Sequence, residues 1–254
     1  MIPFFDLPTQ VRIGPVELRP FGLLLAVSIV SGYLWLRRRL RQQGWGDAHV
    51  AGMAFWMVLA GLAGAAILKL LYLPQFLETL RQAPGDLIRN AGIASFGGLF
   101  AGLLAGYFYL RLSRVTPAAL WAHFDALAFV FPRAWFFGRI GCALTHDHPG
   151  TPTQSWLGVR FPDGPRWDLG LLEVLFTLAY IGLVAVLDRR PRRAGFYLGL
   201  FLAVYGTFRL FLDGLHENPV RYWGWTVDQY AAAAALVAGM AVLVLPSLTG
   251  REPE

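Results

Sequence analysis

Arg209 lies four residues after Tyr205, Asp213 four after Arg209, and His216 three after Asp213. On an α-helix this spacing puts all four on one face. A guanidinium fixed by a neighbouring carboxylate binds a phosphate through two parallel hydrogen bonds. The spacing therefore predicts that Arg209 pairs with Asp213 and presents itself to an anionic headgroup; the bland reading is a self-satisfied pair with no ligand. A second cluster runs Gly138-Arg139-Ile140-Gly141-Cys142, then Thr145-His146-Asp147-His148-Pro149-Gly150. Gly138 and Gly141 permit non-helical backbone around Arg139, and broken backbone at membrane depth is tolerated where it lines a cavity. His146 and His148, with Asp147 between them, have three readings: loop structure, a general base with its orienter, or metal ligands. A metal needs a third ligand, for which His216 or Glu217 is a guess, and no metal or other cofactor is expected. Cys142 is the single cysteine; in apolar surroundings it is expected to be inert packing rather than an acyl-accepting nucleophile.

These residues are embedded in an apolar chain. Of 254 residues 56% are hydrophobic and only 15% charged, with mean hydropathy +0.49; soluble domains carry about a quarter charged residues. The solvent is therefore lipid. The net charge of +6 is almost all arginine, Lys69 being the only lysine. The arginines cluster between apolar runs, which speaks for membrane topology and against nucleic acid. A span needs roughly 20 apolar residues. Seven stretches qualify: 21–37, 50–73, 91–110, 119–137, 170–187, 195–212 and 228–246. The expectation is an all-α, polytopic membrane helix bundle of about seven spans in a single domain, 1–254, with a small outer cap over about 138–169. Pro162-Asp163-Gly164-Pro165 signals a turn within that cap, and residues 74–90 read as a short amphipathic connection. The first twenty residues are mixed and proline-rich, so no cleavable signal peptide is expected.

Arg37, Arg38, Arg39 and Arg41 follow the first span, Arg111 and Arg114 the third, and Arg189, Arg190, Arg192 and Arg193 the fifth. Seven alternating spans put these loops on one side, which the positive-inside rule makes cytoplasmic. The N-terminus is then outside and the C-terminus inside. Lys69, Arg133, Arg139, Glu173, Arg209, Asp213 and Asp228 fall near the outer ends of their spans. Ionisable groups at such depth are expensive and usually functional; a structural ion-pair network is the alternative. Gly98, Gly102 and Gly106 repeat at a spacing that lets another helix approach closely. Asp125 is expected to anchor one helix to another.

Four motifs resemble the prolipoprotein diacylglyceryl transferase family. They are Gly14-Pro15-Val16 with Arg19-Pro20-Phe21-Gly22-Leu23, Ser95-Phe96-Gly97-Gly98-Leu99, Gly138-Arg139-Ile140-Gly141, and Gly199-Leu200-Phe201-Leu202 leading through Tyr205-Gly206 and Phe208-Arg209 to Asp213. The resemblance covers nearly the whole chain. It implies a multi-pass enzyme of the bacterial plasma membrane whose partners are phosphatidylglycerol, a lipoprotein precursor peptide and membrane lipid. The family moves a diacylglyceryl group onto a cysteine thiol, forming a thioether and releasing glycerol phosphate. Arg139 and Arg209 fall on the family's two essential arginines and Tyr205 on its tyrosine. Asp213 stands where it has glutamate, and Gly97, Gly98 and Gly150 correspond. Phe96 replaces the family's histidine, Cys142 its asparagine, Phe21 a tyrosine, Ala65 an arginine, and Trp167-Asp168 a His-Pro pair. One proposed base is therefore missing, and His146, His148 or His216 are candidates to replace it. The alternatives are another transfer or hydrolysis at the same phospholipid site, or non-catalytic lipid binding.

Overall fold

The structure, a computed structural model, describes residues 1–5, 11–13, 16–18, 20–71, 95–217 and 221–244; for 11–13, 16–18, 68–71 and 95–96 only the backbone is described. The expected connection at 74–90 and the side chains of Lys69 and Phe96 lie outside the described residues. Seven helices are present among them: α1 Pro20–Arg41, α2 Asp47–Leu71, α3 Ser95–Leu112, α4 Pro117–Thr145, α5 Leu169–Leu187, α6 Phe196–Asp213 and α7 Val227–Val244. Each coincides with one expected span. Six are long and apolar enough to cross a membrane, and the apolar stretch of α3, Gly97–Leu112, is shorter. Exposed apolar stripes mark helix faces suited to lipid. On α1, Leu23, Val27, Val30 and Leu34 are all exposed at helical spacing, the pattern of a lipid-facing side.

The chain divides into two compact units, Met1–Leu36 with Trp121–Glu254, and Arg37–Leu120. In the second, α2 and α3 meet along small residues. A Cβ on Gly98 would stand 3.1 Å from the Gly61 carbonyl oxygen and 3.2 Å from the Ala65 methyl; one on Gly102 would stand 3.1 Å from the Met57 carbonyl. Without a hydrophobic driving force between helices in lipid, such close backbone approach supplies the dispersion contact that holds them.

In the first unit the same device joins α6 to α7, where a Cβ on Gly206 would meet the Ala232 carbonyl oxygen at 2.7 Å and the Leu236 nitrogen at 2.8 Å. Aromatic rings fill the interior between α5 and α6, with Phe176 stacked on Phe208 at 3.9 Å and Phe201 on Tyr205 at 5.3 Å. Asp125 of α4 accepts the Leu198 backbone N–H of α6 at 3.0 Å, a helix-to-helix anchor. α1 lies against α4 through Ser28, whose hydroxyl donates to the Ala134 carbonyl at 2.7 Å.

One expectation is corrected here. Residues 138–141 do not break the helix: α4 runs on to Thr145, so the cap begins eight residues later than expected. Gly141 serves packing instead, since a Cβ there would stand 2.9 Å from the Phe21 ring of α1, while around Gly138 nothing lies within 4 Å. The cap is a four-stranded sheet in the order β1-β5-β6-β4, made of β1 (Ile2–Pro3), β4 (Pro149–Pro152), β5 (Val159–Phe161) and β6 (Gly164–Asp168). β5 and β6 form a hairpin whose register closes at Phe161 opposite Gly164. Gly164 there has φ +128°, a conformation glycine adopts without a Cβ penalty. A further antiparallel pair joins β2 (Val11–Ile13) to β3 (Val16–Leu18).

Two alanine substitutions separate packing glycines from tolerant ones. G206A forces α7 away and is expected to cost about 1–3 kcal/mol. G138A has room and gains up to about 1 kcal/mol of helix propensity. Thermal unfolding of the detergent-solubilised protein checks both signs.

Candidate functional site

Glu173 stands one turn into α5 and is 1% exposed. A lone carboxylate there would be prohibitively desolvated, so its partners define the site. Arg139 of α4 brings Nη1 to 2.8 Å from Glu173 Oε2. Arg209 of α6 brings Nη1 to 3.9 Å from Oε1. The Tyr205 hydroxyl, one helical turn before Arg209, donates to Oε1 at 3.1 Å. Two other helices thus converge on one carboxylate of α5. The Arg139 contact is close but out of hydrogen-bond alignment: Glu173 Oε2 and Arg139 Nε are both buried without a hydrogen-bond partner among the described residues. The pair keeps bonding capacity that a bidentate fork would have used up. The Arg139 guanidinium also lies 4.5 Å over the Trp135 ring, which fixes its plane.

The expected Arg209–Asp213 pair is not formed. Arg209 donates through Nη2 to Asp228 Oδ2 at 3.0 Å, at the start of α7, where the helix dipole favours a carboxylate. Asp213 is 3% exposed and accepts the Thr226 hydroxyl, leaving His216 Nε2 at 3.8 Å. The reason is positional. Asp213 ends α6, beside the residues that lead into α7, whereas Arg209 sits a turn deeper, level with Glu173. Arg209 and Tyr205 share a face as the spacing required, but His216 and Asp213 belong to a neighbouring polar group.

His146 and His148 also part company. His146 ends α4 with φ +50°, a left-handed conformation in which His is enriched among non-glycine residues. The chain reverses there. His146 is buried, with Nδ1 hydrogen-bonded to Asp168 Oδ2 and Nε2 without a partner among the described residues. Phe4 stacks on its ring at 4.7 Å, and Phe161 meets it edge-on at 5.5 Å. The other Asp168 oxygen, Oδ1, accepts the Leu171 N–H at 2.9 Å and caps α5. His148 pairs instead with Asp147 Oδ1, Nδ1 at 2.9 Å. That carboxylate holds the His148 imidazole above its ordinary range, against desolvation. Burial pushes the His216 imidazole below its ordinary range.

The remaining sequence candidates fall as follows. Gly150 pairs with His216 in an isolated β-bridge, and a Cβ on it would meet the Leu215 carbonyl at 2.8 Å. Glu217, once a possible metal ligand, is taken by Arg166 at 2.7 Å. Gly97 and Gly98 belong to the other unit, where the closeness of α2 already accounts for Gly98. Cys142 is buried, with Sγ 3.8 Å from Arg139 Nη1. Its sulfur, an Asp147 carboxylate oxygen and a His148 nitrogen lie within 4.8 Å of one another and are the residues that could hold a metal. Two central groups were under-read from sequence. Glu173 counted only as one of seven interfacial charges, although an acid so close to the start of an apolar run is costly enough to demand partners. Asp168 counted only as a departure from the family, although an Asp directly before an apolar helix is an N-cap signature.

A bundle of apolar helices with a guanidinium pair around a buried carboxylate defines a multi-pass membrane protein with an anion-ready polar centre. A family model of prolipoprotein diacylglyceryl transferase matches residues 8–245, and the chain belongs to that family of transferases. It is 27% identical over 259 residues to the phosphatidylglycerol–prolipoprotein diacylglyceryl transferase of Symbiobacterium thermophilum, covering 96% of this chain and 93% of that protein. To the protein of the same name from Solidesulfovibrio magneticus it is 30% identical over 257 residues, covering 95% and 94%. To that of Nitratidesulfovibrio vulgaris (strain Miyazaki F) it is 29% identical over 249 residues, covering 93% and 92%.

Neutralising the hub exposes its worth. Glu173→Gln leaves two buried guanidiniums facing each other and is expected to lower unfolding free energy by about 3–5 kcal/mol, read by denaturant titration in detergent. His216 supplies a pH signature. Its folded imidazole binds a proton less readily than in the unfolded chain, because of desolvation and the Arg209 charge; Asp213 and Asp228 oppose this, and His148 adds to it. Stability therefore falls as pH drops below the ordinary His value of about 6.5. In H216N this part of the fall is lost, which thermal unfolding from about pH 7 to 5 measures.

Proposed function

We propose that the protein transfers the diacylglyceryl group of phosphatidylglycerol to a cysteine thiol of a lipoprotein precursor, releasing glycerol phosphate. The observation that carries this reading is the convergence of Arg139 and Arg209 on the single Glu173 carboxylate, with Arg139 Nε still unpaired among the described residues. A phosphate entering there meets two oriented guanidiniums. As the thiol sulfur attacks the glyceryl carbon, the bond from that carbon to the phosphate oxygen breaks and its electron pair goes to the oxygen. The charge that develops is what the arginines stabilise. Tyr205 and Glu173 keep Arg209 and Arg139 in pose. Gly138, with nothing within 4 Å of a Cβ, leaves room beside Arg139, and Gly141 lets Phe21 of α1 pack close to it. Asp213, through Thr226, holds the segment leading into α7, whose Asp228 fixes Arg209.

The proton must go elsewhere. His146 is the acceptor this reading assigns: Asp168 fixes Nδ1–H, so that Nε2 is the free basic atom. His148 pairs with Asp147 and His216 lies beside Asp213, and Gly150 keeps the cap strand close to residue 215. We place the protein in the bacterial plasma membrane, N-terminus outside and C-terminus in the cytoplasm, as one integral membrane domain. The arginine-rich loops after α1, α3 and α5 support this. So does Arg193, which donates to the Val242 carbonyl at 2.8 Å and ties the end of α7 to the loop before α6.

Purified protein given phosphatidylglycerol vesicles and a lipobox peptide is expected to add the diacylglyceryl mass to the peptide and release glycerol phosphate. R139A and R209A should each lower kcat by about 10²–10³-fold. H146A should lose about 10²–10⁴-fold, with D168N reproducing most of that loss. Lipid consumed without peptide modification would assign hydrolysis instead, and lipid bound without turnover a non-catalytic role.

A further inference from the structure

Cys142, Asp147 and His148 are one helical turn and a half apart along the chain, and a continued helix would carry the last two away from the first. They meet because α4 ends at Thr145 and His146 adopts φ +50°, which turns the chain back on itself. The return is pinned. The His148 carbonyl accepts the Leu169 N–H at 3.0 Å, and Pro149 pairs with Asp168. The three donor atoms end within 4.8 Å of one another. Around a tetrahedral zinc ion, donors at bond lengths of about 2.0–2.3 Å stand about 3.5 Å apart, so the set closes when exposed Asp147 rotates and exchanges its 2.9 Å contact with His148 Nδ1 for the ion. The chemistry of the trio is mixed: a thiolate, an imidazole and a carboxylate. A soft sulfur donor selects zinc-type ions over magnesium or calcium. Arg139 Nη1 stands 3.8 Å from the sulfur, and a bound cation would supply the further positive charge that a buried thiol needs in order to ionise.

We propose that Cys142, Asp147 and His148 bind one zinc-type divalent ion whose fourth position takes the acceptor thiol. Three protein ligands with an open position is the arrangement of catalytic rather than structural zinc sites. A thiol bound to such an ion gives up its proton, here to His146. The metal-bound sulfur then attacks the glyceryl carbon while the carbon–oxygen bond to phosphate breaks toward the arginine pair. The ion is neither oxidised nor reduced, and the product thioether, a much weaker ligand than a thiolate, departs. The role rests on the transferase reading; the binding of the ion does not.

Cobalt(II) alone, added to the full-length protein in detergent, tests it. Because Cys142 is the only cysteine, a thiolate-to-cobalt charge-transfer band reports this site and no other. We expect one ion per chain, loss of the band in C142S and H148A, weakening in D147N, and displacement of cobalt by zinc. H216A should keep the band. Zinc should slow maleimide labelling of Cys142 at least about tenfold, the factor that 1.4 kcal/mol of protection corresponds to. Addition of a lipobox cysteine peptide should intensify the charge-transfer band, and its serine counterpart should leave it unchanged. A wild-type protein with an intact melting transition but no band overturns the proposal, as does a band that survives H148A or ignores the cysteine peptide. Transfer that persists undiminished in chelator-stripped protein overturns the role while the transferase reading stands. Absence of transfer alongside a peptide-sensitive band overturns the transferase reading and leaves the ion site in place.

Discussion

A carboxylate buried among apolar helices is tolerable only while its charge is answered, and Glu173 is answered by groups from two other helices. Arg139 comes from α4, Tyr205 and Arg209 from α6, and Glu173 itself from α5. Their meeting point fixes the rotation of three helices about their own axes, something lipid cannot do because it rewards every apolar face equally. The electrostatics also leave a residue. Two guanidiniums share one buried carboxylate, and the second balancing charge, Asp228, is about one-third exposed. The interior end of the cluster therefore has more positive than negative charge in contact, in a setting where screening is weak. On the proposed reading, that imbalance is what an anionic headgroup would relieve.

Around this centre the polar work is divided between helix ends. Asp168 shows how few residues it takes. One oxygen caps α5 and so sets where the helix carrying Glu173 begins; the other fixes the tautomer of His146. His146 and the carboxylate hub are thereby tied to one helix start, with Asp168 and Glu173 five residues apart in sequence. The cap sheet adds a further tether, because Arg166 of β6 bonds both Asp163 in the hairpin turn and Glu217 beyond α6. These exposed pairs contribute little stability singly, but they link the turn at 162–163 to the segment that follows Asp213.

Helix positions were legible in the sequence because the membrane imposes a length and a composition at once, and all seven described helices fall where apolar runs predict them. Partner choice was not. Spacing along α6 put Tyr205 and Arg209 on one face, as found, yet a face says nothing about which neighbouring helix supplies a stronger partner, and Glu173 and Asp228 rather than Asp213 hold Arg209. The same limit explains the two histidines. Sequence adjacency suggested one constellation, while the left-handed turn at His146 sends the rings in different directions, to Asp168 and to Asp147. Gly138 and Gly141 were read as backbone breakers, but glycine in a membrane helix is as often a contact surface, and Gly141 against Phe21 is one.

Two of the positions at which this chain departs from the pattern it resembles, Cys142 and Asp168, lie beside the turn that ends α4. An aspartate at 168 is useful as an orienter only because His146 stands opposite it; a cysteine at 142 gains potential ligands only because residues 147 and 148 fold back over it. Both therefore depend on the turn at His146, where α4 has ended and the chain reverses. On the proposed reading, the arginine pair is the anion-binding half of a catalytic centre, and the end of α4 with the cap strand that follows it is the thiol-handling half.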